Sequence, residues 1–308
     1  MAIDQNNDLI LVTAASGKQG THLLSHLHGT WKRLRLVVNS VASEERLKQR
    51  YPDAEVTRAR LDDAREASRV LQGVTSVFHN CPSYHPQEAQ MAYNMIDAAV
   101  AETKHGVFRH FVLSSVLNTQ LHKMLHHDDK KFMEARLMES GLAYTILQPA
   151  HFMELFPIQV LMSQEYPVYP ARWDPNVEFS FLATRDMGEA AAKVLKERDR
   201  HFRAQYPLVG PDPPMGYTKV CNIVGQALGK EIKVQQMPFE EAVDSLVSLV
   251  VGDVDVHPYS RDCAERMLLF YNRRGLLGNS NILEWLLERK PTSYAEWVRL
   301  RIKEVETS

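Results

Sequence analysis

Along the first 115 residues, short apolar runs alternate with longer segments whose apolar positions recur at helical spacing. Leu9–Thr13, Leu34–Val38, Glu55–Thr57, Ser76–His79 and Val107–Ser114 carry the strand pattern. Helices are expected from about Lys18 to His28 and over 43–51, 63–72 and 87–104. Near-uniform apolar strands are what a parallel sheet needs when helices cover both its faces, because neither side of the strand meets water. The alternation therefore predicts a doubly wound α/β architecture. A further helix fits Asp128–Ser140, with Gly141 placed where a left-handed residue ends it. Strand Tyr144–Leu147 follows and stops at Pro149.

Beyond this point the rhythm changes. Pro157, Pro167, Pro170 and Pro175 punctuate a stretch rich in aromatics, from Phe152 to Phe181. A helix at about 184–197 is expected to start at a Thr-Arg-Asp-Met cap, and 205–209 reads as one more strand. Helices at about 216–228, 239–249, 259–274, 281–289 and 293–305 fill the remainder. The expected organisation is a Rossmann-type parallel-sheet domain over 1–152, joined by a strand at 205–210. A smaller, mostly helical cap over 153–308 lies against the strand ends. No repeat, low-complexity tract or linker interrupts the chain.

Composition narrows the class. Of 308 residues, 44% are apolar and 24% charged, ordinary for a globular protein with a sizeable core. The 36 basic and 38 acidic side chains nearly cancel, which argues against a nucleic-acid partner, since phosphate binding needs a basic face. Cys81, Cys221 and Cys263 are far apart and form no paired spacing, so they read as reduced thiols. The start lacks the basic and apolar blocks of a secretory signal. No apolar run approaches the ~20 residues of a membrane span. The expectation is a cytoplasmic protein with no membrane partner. The runs at 196–203 and 299–306 read as solvated helix faces.

The most informative stretch is residues 9–20, a strand, a tight turn and a helix start with Gly17 and Gly20. Small residues are wanted there because the backbone must approach a pyrophosphate closely, presenting free N–H groups and the positive helix end. Following the first strand of a βαβ pattern, this turn predicts a dinucleotide site.

The same residues resemble the NmrA-like family, atypical members of the short-chain dehydrogenase/reductase superfamily. So do Leu61-Asp62-Asp63, Phe111–Val116, Ser140–Glu154 and Gly278–Ser293. The resemblance implies that the phosphate turn falls on Ala14, Gly17 and Gly20, with Ala14 replacing a glycine and tolerable if its φ stays negative. It places Ser16 in that turn, Gln19 as the residue capping phosphates or ribose, and Asp62 at the adenine edge. Asn80, Cys81 and Pro82 fall under the ribose. Ser114, Lys130, Pro149 and Phe152 complete the implied cofactor contacts. At the end of the second strand, Val38 occupies the place of an arginine that many members pair with a 2′-phosphate, leaving Asn39, Ser40, Arg46 or Lys48 to hydrogen-bond there. NADP and NAD both stay open, with family habit favouring NADP.

No tyrosine in the chain has a lysine four residues on, so the usual Tyr-x-x-x-Lys pair is missing. The resemblance aligns Lys130 with the superfamily lysine and His126 with the tyrosine. An imidazole there either donates a proton during reduction or forms a pocket wall. Ser114 and Ser115 fall where a carbonyl-orienting serine belongs. Tyr84, His151, Phe152, Met153 and Trp173 are the implied substrate contacts. His122 and His126 stand four apart, but no carboxylate or cysteine completes a ligand set, so no metal is expected. The implied function is an NAD(P)H-dependent oxidoreductase delivering hydride to a carbonyl, imine or activated double bond of a small or medium organic molecule. The rivals are a non-catalytic NAD(P) sensor acting through a protein partner and a non-redox isomerase or cyclase on the same scaffold.

Overall fold

The computed structural model describes residues 3–252 and 256–307. The extreme ends of the two expected regions, 1–2 and 308, lie outside the described residues, as do 253–255. The first half runs β1 (Leu9–Val12), α1 (Lys18–Leu27), β2 (Arg33–Val38), α2 (Val41–Arg50), β3 (Glu55–Arg58), α3 (Ala64–Leu71), β4 (Ser76–His79), α4 (Glu88–Thr103), β5 (His110–Ser114), α5 (Leu125–Glu139) and β6 (Tyr144–Pro149). The second half continues with β7 (His151–Phe152), α6 (Ile158–Ser163), β8 (Val168–Ala171), β9 (Phe181–Leu182), α7 (Thr184–Glu197) and β10 (Ala204–Leu208). Then come α8 (Tyr217–Leu228), β11 (Lys233–Gln236), α9 (Phe239–Val251), α10 (Pro258–Tyr271), α11 (Asn281–Leu287) and α12 (Tyr294–Glu306).

Seven parallel strands form one sheet in the order β10-β6-β5-β4-β1-β2-β3. Successive side chains of a strand point to opposite faces, and β1 shows it: Ile10 and Val12 enter one core, Leu9 and Leu11 the other. The second core is closed by α3, α4 and α5, while the first is closed by α1, α2 and α7 and runs on without a break into α8, α9 and α10. The two halves are therefore joined through shared apolar packing. Residues 184–208 return to the sheet, with α7 against α1 and β10 paired along β6.

Four features depart from the sequence reading. Helix α5 begins at Leu125, three residues earlier than expected, although no side chain caps it. His126 and His127 therefore lie inside its first turn. The Thr-Arg-Asp-Met cap does not form. Ala183 holds the cap position of α7 without a side-chain bond, and Asp186 instead accepts from the Thr292 amide at 2.6 Å and from Arg289 at 2.7 Å. The run at 196–203 is not simply solvated, since Arg198 is buried against Asp8 at 2.6 Å and His201 is buried too. Two small parallel sheets, β8 with β11 and β7 with β9, form in the proline-rich stretch. They are too short, and Pro170 too disruptive, for any period-two signal to survive.

Candidate functional site

The strand order reverses between β1 and β4, and open α/β sheets leave a ligand crevice outside the strand ends at such a point. The turn after β1 contains Ala14 at φ +47°, which corrects the expectation of a negative φ. Left-handed backbone at an alanine costs roughly 1–2 kcal/mol, and the surrounding turn holds it. Gly17 is exposed, and it caps α1 in an extended conformation with no side-chain bond and no acidic residue in the first turn. The first-turn amides of a helix have no intrahelical partner, so this end presents donors and positive dipole to an anion. A Cβ on Gly20 would lie 2.6 Å from the Ala15 carbonyl oxygen, so only glycine lets the helix approach the turn. Ser16 is half-buried in the same turn. This cradle fits a dinucleotide pyrophosphate.

The loop after β4 is tied to the turn. Thr13 Oγ1 accepts the Asn80 amide at 2.9 Å and lies 3.0 Å from the Asn80 carbonyl. Pro82 is exposed beside it. Cys81, expected under a ribose, points its thiol inward to His79 Nε2 at 3.1 Å. Burial pushes that thiol up to about 12, so the side chain belongs to the core. At the end of β2, Val38 is buried and Asn39 exposed. Ser40 is committed as the cap of α2, accepting from the Ser43 amide. Lys48 and Arg58 both pair with Glu44 at 2.7 Å, and Arg58 stands beside Val38 in the sheet register. Asp62 binds Arg60 at 2.8 Å, and that guanidinium holds its carboxyl below the ordinary value.

On the other side of the crevice, Ser114 Oγ donates to Gln19 Oε1 at 2.7 Å, joining β5 to the first turn of α1. Ser115, Thr119 and Gln148 all donate to the buried carboxylate of Glu134. Lys130 is also buried. Its Nζ lies 2.8 Å from Oε1 of Glu88, a fully buried acid, and 3.5 Å from the Ser114 carbonyl. Burial opposes the lysine's charge, but Glu88 outweighs it and holds the ammonium above its usual pKa. Burial pushes Glu88 up to about 7 against the pull of Lys130. Glu88 was invisible in the sequence reading, for it opens α4 as an ordinary first-turn acid would.

Four residues before Lys130, His126 shares the face of α5 with it but meets different neighbours. Its ring packs edge-on against Tyr84 and His127, with Nδ1 buried and unpartnered. Burial, then His127 and Lys130, hold it well below 6.5, so it is a neutral imidazole. Tyr84 adopts φ +65°, and its hydroxyl donates to Met267 of α10. His122 lies on the surface, 3.3 Å from Asp128.

His126 and Tyr84 form one wall of a cavity of about 160 Å³ between the two halves. His151, Arg172, Trp173 and Tyr217 line it as well. His151 Nε2 bonds the Tyr217 hydroxyl at 2.8 Å, and burial, then the nearby Arg172, hold the ring down at about 4. Of the expected substrate contacts, Tyr84, His151 and Trp173 reach this cavity. Phe152 and Met153 pack into the apolar core instead, Met153 fully and Phe152 against its edge. Pro149 is buried, its carbonyl accepting from Leu117. Arg172, Tyr217 and Met267 were missed, since only tertiary packing brings β8, α8 and α10 together. The aromatic density around Trp173 was the one available hint.

The sequence profile of the NmrA-like family matches residues 6–294. Over 248 residues the chain is 24% identical to an NAD(P)H azoreductase of Xenophilus azovorans, covering 78% of this chain and 81% of that protein. An Escherichia coli NADPH-dependent quinone oxidoreductase, solved with NADPH, superposes with a TM-score of 0.75 at 22% identity, over 96% of this chain and all of the other. The negative transcriptional regulator NmrA, solved with NAD, superposes with a TM-score of 0.75 at 17% identity, over 98% of each chain.

Proposed function

The chain belongs to the NmrA-like family, and from that membership we propose that it is an NAD(P)H-dependent reductase of a conjugated organic molecule held in the cavity between its halves. The carrying observation is the pairing of an uncapped, glycine-lined helix start with an aromatic cavity across the same strand ends. Ala14, Ser16, Gly17, Gln19 and Gly20 would hold the cofactor's phosphates, with Asn80, Ser114 and Lys130 along its sugar. The bound nicotinamide would supply hydride. The buried Glu88 keeps Lys130 an ammonium, so that it serves as a fixed donor rather than a proton source. His126, neutral and buried, offers a hydrogen bond and a wall. Azoreductase and quinone oxidoreductase among the relatives favour a flat, conjugated acceptor. Either NADP or NAD suits the site. Arg58 and Arg46 would meet a 2′-phosphate only by loosening the Glu44 contacts or reaching across solvent.

The test is titration with NADPH and NADH, followed by nicotinamide fluorescence. Gly17→Leu should abolish binding while circular dichroism stays unchanged. Binding as tight as the parent's would overturn the phosphate turn.

One observation favours a second reading, a nucleotide sensor. Lys130 is tied to Glu88 and His126, not a tyrosine, stands four residues before it, so the superfamily's proton-donating pair is absent among the described residues. Oxidation of NADPH with 1,4-benzoquinone decides: turnover supports the reductase, and binding without turnover the sensor.

A further inference from the structure

The cavity between the halves is walled mainly by carbon, with polar groups at only a few points. Among the described residues lining it, none is acidic, and one, Arg172, carries a permanent positive charge. Arg172 follows β8 directly and is half-buried. Its Nε donates to Ser245 Oγ at 3.1 Å. Among the described residues no carboxylate pairs with its two terminal nitrogens. Next to it, the indole Nε1 of Trp173 is buried and has no acceptor. Buried tryptophans ordinarily find one. His126 Nδ1, in the same cavity lining, is likewise buried without a partner. His151 and Tyr217 satisfy one another and so ask nothing of a ligand.

Size adds a second constraint. A dry apolar cavity of ~150 Å³ accepts one benzene ring, and this cavity measures about 160 Å³. Its faces are Trp173, Tyr217 and the thioether of Met267, surfaces suited to a ring. A guanidinium with free terminal nitrogens matches a carboxylate fork.

We propose that this cavity binds a single aromatic or quinoid ring bearing a carboxylate, with the ring among Trp173, Tyr217 and Met267 and the carboxylate on Arg172. The assignment deepens the reductase reading and rests on it for the ligand to be a substrate. As a binding site it stands on the cavity alone.

The experiment is calorimetric titration of the full chain with benzoate and, separately, with benzamide, its neutral isostere, at pH 7.5. Benzoate is expected to bind tenfold or more tightly than benzamide, the size of one charged hydrogen-bonded contact. Arg172→Gln should erase the difference and Arg172→Lys keep part of it, with NADPH fluorescence titration unchanged in both. Equal binding of benzoate and benzamide, or no binding of either, overturns the proposal, and this comparison needs no variant. Discrimination that survives in Arg172→Gln overturns the role of Arg172. If NADPH fails to bind while the benzoate preference holds, the reductase reading falls and the anion site stands. If NADPH binds and 1,4-benzoquinone is reduced but benzoate is not preferred, the anion site alone falls.

Discussion

At His126 the chemistry expected of a residue type and the chemistry permitted by its surroundings part company. An exposed imidazole titrates near 6.5 and can give up a proton at neutral pH. Inside α5, against Tyr84 and His127, its charged form loses hydration and gains no anion, so it stays neutral. A general acid would show a rate falling as pH rises through its pKa, and here that fall is complete far below neutrality. The rate of NADPH-dependent 1,4-benzoquinone reduction should therefore be flat in His126's range between pH 6 and 8. His126→Phe should change kcat less than tenfold and leave the pH profile intact. A loss of roughly 100-fold or more, the usual contribution of an acid, would restore the proton-donor role. The residue's presence in the pocket was legible from its spacing to Lys130. Its protonation was not, because the neighbours that desolvate it come from other elements.

At the level of elements, α1 is the pivot, since its start is the proposed phosphate cradle and its length packs on α7. That packing is unusually close at Gly188, where a Cβ would stand 2.7 Å from the His22 carbonyl carbon and 2.8 Å from the Leu23 amide. Backbone cannot give way as a flexible side chain would. Gly188→Ala should push α7 off α1 and cost about 1–3 kcal/mol, the range for overpacked cores. A lower urea midpoint with an unchanged slope would register it, and an unchanged midpoint would show that the helices already have slack. Because α1 carries Gly17 and Gln19, dinucleotide affinity should weaken in the same variant. Helix α5 teaches a related lesson. Its early start has no capping side chain, so local chemistry could not announce it.

Across the whole molecule, the buried histidines set the response to acid. Burial is the leading cause at each, holding His79 and His110 at about 3, His127 and His151 at about 4, His126 well below its usual value and His201 below its own. Below pH 6.5 the unfolded chain takes up protons that the folded chain refuses, so stability falls as pH drops toward 4. Glu88 acts in the opposite sense. Raised to about 7, it holds a proton in the folded state that the unfolded chain releases above ~4.5, and its contribution is lost as pH rises through 7. The histidines outnumber it, so unfolding near pH 5 should take up several protons. Urea midpoints at pH 7, 6 and 5 should therefore fall steeply. A slope of less than one proton would mean that water reaches these rings.

The strand runs, the helices between them and the glycine turn were determined by the sequence, because apolar periodicity and steric need at a turn are local properties. The doubly wound class and the family resemblance followed from them. Only the tertiary structure decided that Cys81 turns into the core, that Glu88 meets Lys130, and that Arg172 reaches a cavity shared with His126 and Tyr84. Each of these joins residues from separate elements, and desolvation, ion pairing and cavity shape exist only once those elements have packed.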